Sequence, residues 1–322
     1  MSQTLINKGF KPLSQLSVFI GVFGGSLIVA AIATFIFISA SGLPLTNTEA
    51  LMQPENIPAM RWLQAITTLF MFGLPAILFA FICFRNGGVA LGFGHPWQWK
   101  LAALAIAIML AAGPLTDALG TLNKAIPLPA NLRAYFDGME KNYESQVKAM
   151  LNVDSWQGLF MSILLIAALP ALVEELFFRS TMQGLFMRWF RNPWLAIGFT
   201  ALIFSAIHLS WYGFFPRLML GVVLGLVYYI TGNIWYSILM HFFNNAVAVL
   251  YLFYLHQQDK PMDMSDTSMF PIWTALIAIV VLILLLRLLY KKHPPEMQKE
   301  IIDNHSDPFA NRNVGHQQPH TL

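Results

Sequence analysis

Residues 218–258 read LMLGVVLGLVYYITGNIWYSILMHFFNNAVAVLYLFYLHQQ, without a single Asp, Glu, Lys or Arg. A helix that crosses the hydrocarbon core of a bilayer needs about 20 mostly apolar residues. This uncharged run is twice that length, so it reads as two helices, with Thr231-Gly232-Asn233 as the turn between them. The pattern extends outward along the chain: residues 13–40, 62–84, 101–116, 155–173, 192–216 and 267–286 are also free of charged residues. Together these runs predict an all-α, polytopic membrane bundle of eight spans. Charged residues make up only 11% of the chain, against roughly 25% in soluble domains. That deficit excludes a soluble enzyme, a nucleic-acid reader and a disordered scaffold. The net charge of +3 is too mild to call for a polyanionic partner, and basic loops beside the membrane account for it.

The run 13–40 is too long for a removed signal peptide and has no small-residue cleavage site, so it reads as an anchor. With the N-terminus in the cytoplasm, eight spans return the C-terminus there. Lys8, Lys11, Arg85, Lys100, Arg188, Arg191, Arg287, Lys291 and Lys292 then share the cytoplasmic side. Glu49, Glu55, Asp259, Asp263 and Asp266 fall on the other. This is a multi-pass integral protein, of the plasma (inner) membrane if the source is bacterial. The longer loop 120–154 has mixed charge, and Arg133 to Met150 within it is a loosely patterned candidate for a surface helix. Residues 293–322 form a polar tail whose four histidines are too irregular in spacing for a metal site; the composition predicts disorder. Gly21 with Gly25, and Gly221 with Gly225, are GxxxG pairs and predict close helix contacts. Cys83 has no second cysteine to pair with and reads as a small apolar filler.

Ionisable groups within such spans are expensive, and each is by default a functional candidate. Glu174 and Glu175 follow Ala-Leu-Pro-Ala-Leu-Val, His208 ends Phe-Ser-Ala-Ile-His, and His241 opens His-Phe-Phe-Asn-Asn. Helical spacing sorts them. Glu175 and Arg179 are four apart and can pair; Glu174 points about 100° away and is left free. His241 and Asn245 share a stripe, and Asn245 has the better phase of the two adjacent asparagines. Pro170 predicts a kink close to the acids. Depth is a stricter test. If the fourth helix continues to Phe190, Glu174 lies roughly 24 Å from its cytoplasmic end, His208 about 21 Å above Trp194, and His241 and Asn245 about 10 and 16 Å above Ile234. Ending that helix at Val173 would put Glu174 and His208 on opposite faces, so the longer helix is the reading adopted. Phe204 reads as core packing beside His208.

Glu174-Glu175-x-x-x-Arg179, Phe204-x-x-x-His208 and His241-x-x-x-Asn245 resemble the three motifs of the CPBP intramembrane proteases, the CAAX protease and bacteriocin-processing family, also called Abi, which includes the type II CAAX prenyl endopeptidases. The resemblance implies an eight-helix bundle with an intramembrane catalytic cavity. It places a protease domain in residues 1–292, with its motif core in 156–256. By the same resemblance Glu174 is the catalytic glutamate, His208 helps it activate water, and His241 and Asn245 stabilise the oxyanion. Glu175 and Arg179 are supporting positions. The implied activity is an endopeptidase acting on a membrane-associated peptide or small protein, lipidated or not.

The residues are chemically suited to that work, because amide hydrolysis needs an activated water and donors for the developing charge. A zinc version is the alternative: Glu174, His208 and His241 have the composition of a two-His-one-Glu site. No His-Glu-x-x-His helix is present, and a metal-bound Glu174 could not serve freely as base, so the metal-free reading, with no cofactor, is favoured. A transporter using Glu174, His208 and His241 as a proton relay is a second class, but the matching interrupted halves expected of it are missing. Nothing in the sequence sets the substrate's identity or the oligomeric state.

Overall fold

A computed structural model describes residues 7–44, 48–51, 53–151, 155–258 and 270–293. Among them, seven helices are long and apolar enough to cross a membrane. In chain order the longer helices are α1 (Pro12–Ser41), α2 (Ile57–Cys83), α3 (Trp99–Ala125), α4 (Ala130–Leu151), α5 (Trp156–Phe190), α6 (Pro193–Ala206), α7 (Phe214–Thr231), α8 (Ile234–Gln257) and α9 (Thr274–Lys292). All but α4 and α6 are the spanning candidates. The fold is the polytopic helical bundle that the uncharged runs predict, and the turn at Thr231–Asn233 falls where expected. There, Gly232 adopts the left-handed conformation as the C-cap of α7 and Asn233 caps α8 through its side chain. From residue 294 onward the polar tail lies outside the described residues, as does the acidic loop around Asp259, Asp263 and Asp266.

The run 192–216 departs from its prediction. Its helix spans only Pro193–Ala206 before the chain breaks, about 21 Å of rise against a hydrocarbon core of about 30 Å. Its start is built for the purpose, with Asn192 accepting from the amides of Trp194 and Leu195. Its end has two causes. Leu209 takes a positive φ of 51°, and the His208 ring, not the amide of another turn, bonds the carbonyl of Phe204 at 2.6 Å. The chain then loops through residues 207–213 before α7 begins. Irregular backbone at membrane depth requires internal partners, and here it has them. Asn123 donates to the carbonyl of Trp211 (2.8 Å), Ser205 to that of Phe214 (2.6 Å), and the Gly213 amide to Ser210 Oγ (3.2 Å).

The loosely patterned segment 133–150 is helical throughout, as part of α4, and it lies across that loop. Ser210 donates to Glu140 (2.8 Å), the Tyr212 hydroxyl to Asp137 (2.5 Å), and Phe136 stacks on Trp211 with centroids 5.3 Å apart. At the other end of α4, Arg61 on α2 donates to the carbonyl of Met150.

Helix α5 runs unbroken past the two glutamates to Phe190, but its ladder loosens twice, into π-helix over Ile163–Ala168 and again over Leu176–Gln183. Proline lacks the amide that would close the bond to the preceding turn. The first π segment ends just before Pro170, and an equivalent one in α2, Leu69–Gly73, just before Pro75. Thr181 Oγ1 donates to the carbonyl of Leu176 within the second. The α-helical stretch between the two π segments of α5, Leu169–Glu175, carries both acids. Such π-bulges often accompany functional sites.

A buried aromatic cluster of Phe19, Phe72, Phe79, Phe177 and Phe178 fixes α5 against α1 and α2. The GxxxG pairs divide. A Cβ on Gly221 would meet Ala201 Cβ at 2.9 Å and its Cα at 3.0 Å, so α7 and α6 approach backbone to backbone; Gly21 and Gly25 have nothing within 4 Å. Arg188 is buried. It donates to Gln15 of α1 (2.8 Å) and lies over the Phe84 ring.

Candidate active site

Three elements meet at the acids: the middle of α5, the C-terminal end of α6, and the second and third turns of α8. Glu175 and Arg179 form the pair their spacing predicts, Nε to Oε2 at 2.9 Å, with both side chains fully buried. The other oxygen of the same carboxylate, Oε1, lies 2.9 Å from His241 Nδ1. A carboxylate only accepts, so Nδ1 carries the proton and Nε2 is the ring atom left for another partner. Both oxygens of Glu175 are thus occupied. Glu174, one residue earlier, is half-buried and forms no hydrogen bond or ion pair among the described residues.

His208 Nδ1 donates to the Phe204 carbonyl, which likewise leaves Nε2 free. Asn245 accepts from Asn244 Nδ2 through Oδ1 at 3.2 Å, so its own amide N–H groups remain available. The structure brings Glu175, Arg179 and His241 into direct contact. It shows no hydrogen bond joining Asn245 or His208 to the acids among the described residues.

The depth expectation needs one correction. It took Phe190 and Ile234 as level, which separated His241 from the acids by more than 10 Å. The loop between α2 and α3 shows otherwise. Ser180 of α5 donates to the carbonyl of Leu91 (2.8 Å), and the Ile234 amide donates to the next carbonyl, Gly92 (3.3 Å). Ile234 is therefore level with Ser180. From there Glu175 is about 7 Å up α5 and His241 about 10 Å up α8, which is the depth agreement their hydrogen bond requires.

Sequence reasoning understated Phe204, which is more than packing. Its ring lies 5.0 Å from the Arg179 guanidinium carbon, 4.9 Å from the His208 ring and 5.9 Å from the His241 ring. Nη1 and Nη2 of Arg179 have no hydrogen-bond partner among the described residues. The electron-rich face of Phe204 is what solvates that side of the cation. The i, i+4 spacing of Phe204 and His208 was the available signal.

Among the described residues no group of three His, Cys, Asp or Glu side chains converges closely enough to hold a metal, and Glu174, His208 and His241 are no exception.

Residues 156–247 match the family model of the Rce1-like proteins, described as type II CAAX prenyl endopeptidases. The match covers α5, α6 and α7, most of α8, and every candidate site residue. It agrees with the CPBP resemblance and supports a peptidase working in a membrane. No curated protein and no solved structure matches the chain.

Proposed function

We propose that this protein is a glutamate-dependent intramembrane endopeptidase in which Glu174 is the general base and Glu175 a structural anion. The unequal environments of the two adjacent acids carry this reading. Glu175 has both oxygens engaged by Arg179 and His241 and is fully buried, so it holds the site together with its charge compensated and its carboxylate shielded from water. Glu174 has its full acceptor capacity and, half-buried, is reachable by a water molecule.

In the proposed reaction Glu174 accepts a proton from water, and the hydroxide attacks the scissile carbonyl carbon. His208, its Nδ1 held by the Phe204 carbonyl, orients that water through Nε2. Asn245 donates to the developing oxyanion and His241 stands beside it, held by Glu175. Glu174 then returns its proton to the departing amine as the C–N bond breaks. No step requires a metal. The substrate is a membrane-associated peptide or small protein, and the family description makes a prenylated C-terminus the first candidate.

We also read both termini as cytoplasmic. Lys8 donates its backbone amide to Cys83 and its ammonium to the carbonyl of Phe81. The N-terminal segment is therefore on the same side as Arg85, in the loop after α2, and Lys100, in the first turn of α3, which supports the charge-based orientation.

The decisive test is Glu174→Gln in purified protein given a quenched-fluorescence prenyl peptide. Hydrolysis should fall about 10²-fold or more, the scale of a lost acid–base catalyst, while the variant folds normally. Retained activity would overturn the assignment. Chelation before assay should leave the wild type active; loss of activity, restored by zinc, would replace this mechanism with the metal-dependent one. Proton flux in proteoliposomes with no hydrolysis of any peptide would favour the relay.

A further inference from the structure

Asn123 in the last turn of α3 belongs to none of the three motifs and lies outside residues 156–247, yet it grips the loop that follows His208. Its side chain is buried, with 1% of the residue exposed. Nδ2 donates to the carbonyl of Trp211 (2.8 Å), and Oδ1 accepts from the Phe215 amide (3.4 Å). The second contact supplies something α7 lacks. The N-cap residue of α7 is Gly213, which has no side chain to offer the orphaned amides of the first turn. Phe215 is the second helical residue of α7, a position that a capping oxygen serves, and Asn123 provides that oxygen from another helix.

A continuous path of hydrogen bonds connects this contact with His208. The amide of Phe215 and the carbonyl of Phe214 are the two ends of one peptide group. Asn123 holds the first, and the hydroxyl of the fully buried Ser205 donates to the second (2.6 Å). The carbonyl of Ser205 in turn accepts from the amide of His208 (3.3 Å). Leu209, next in the chain, has a φ of 51°, a left-handed conformation that leucine keeps only where its surroundings impose it. The contacts from α4 reach side chains of this loop, whereas Asn123 and Ser205 hold its backbone.

We infer that Asn123 is a positioning residue for the reaction: by clamping the Trp211 carbonyl and the Phe214–Phe215 peptide, it holds His208 where its ring can direct the attacking water. This rests on the peptidase reading above. The clamp calls for a side-chain amide, since one neutral group must donate to a carbonyl and accept from an N–H at the same time. Leucine matches the volume and offers neither bond; ionised aspartate keeps the acceptor and loses the donor. At membrane depth no bulk water takes the place of a missing partner.

Purified full-length protein in nanodiscs is assayed with the quenched-fluorescence prenyl peptide as wild type, Asn123→Leu, His208→Ala and the double variant. Asn123→Leu should lower kcat about 10- to 100-fold, the scale of a small displacement of a reacting group, and leave KM within about twofold. In the His208→Ala background the same substitution should cost less than about twofold, because the group it positions is already gone. Asn123→Asp keeps the acceptor for α7, and Ser205→Ala frees the other end of the same peptide. Both should lower kcat, and they carry the test if the leucine variant fails to fold. A second readout needs no hydrolysis. Carbethoxylation of His208 by diethyl pyrocarbonate, followed by mass spectrometry, should be about 5-fold or more faster in each Asn123 and Ser205 variant, the scale of one lost buried hydrogen bond. An equal loss of kcat in both backgrounds, a change in KM alone, an unchanged kcat or unchanged labelling of His208 would overturn the inference. If the wild type hydrolyses no peptide, the peptidase reading falls, and the labelling of His208 alone decides whether Asn123 positions it.

Discussion

Replacing Arg179 by Met tests how the site is held together. The side chains are similar in length, and both partners of the native pair are fully buried, so the substitution changes charge far more than volume. Nη1 and Nη2 of Arg179 make no hydrogen bonds among the described residues, so the direct loss is the single Nε–Glu175 contact, about 1.5–3 kcal/mol for a charged bond. The indirect loss is larger. The Glu175 carboxylate is left with His241 alone in an apolar setting, and breaking a buried pair from one side costs about 3–5 kcal/mol in total. Glu175→Gln should cost a similar amount, because it strands Arg179 over Phe204. The double variant removes both charges and should recover most of the loss, which gives a coupling energy of about 2 kcal/mol or more. Equilibrium unfolding of the purified proteins in mixed micelles, titrated with a denaturing detergent and followed by tryptophan fluorescence, supplies the four free energies. A cost below about 1 kcal/mol for Arg179→Met, or simple additivity in the double variant, would refute the view that this pair is a coupled buried unit.

The remaining predictions use the same unfolding measurement. Gly221→Ala brings a Cβ within 3.0 Å of the Ala201 backbone and should destabilise by about 1–3 kcal/mol, whereas Gly25→Ala meets nothing within 4 Å and should be neutral or gain up to about 1 kcal/mol from helix propensity. Equal effects at the two glycines would contradict the packing described for α6 and α7. Phe204→Leu removes the ring beneath Arg179 and should cost about 1–2 kcal/mol. It should also lower hydrolysis, because His208 and His241 both lean on that ring; unchanged activity would return Phe204 to a packing role.

Much of this molecule can be read from local pattern. The absence of charge over 218–258 decides for a membrane bundle, since a spanning segment is defined by composition and length alone. The i, i+4 rule pairs Glu175 with Arg179 because both lie on one continuous helix, where spacing is geometry. The same rule aligns His241 with Asn245, and the three motif spacings carry the family resemblance.

What the sequence could not supply was the relation between helices. The short α6 depends on the His208 ring and the positive φ of Leu209, neither of which an uncharged run reveals. The level of α8 against α5 is set by the carbonyls of Leu91 and Gly92, in a loop far away in sequence. Above all, the allegiance of His241 to Glu175, which leaves Glu174 unengaged, is a contact between residues 66 apart. Local rules fix which side chains share a face of one helix. Which faces then meet, and at what depth, is decided by packing among all the helices at once, and here it turns two adjacent glutamates into one anchored acid and one open one.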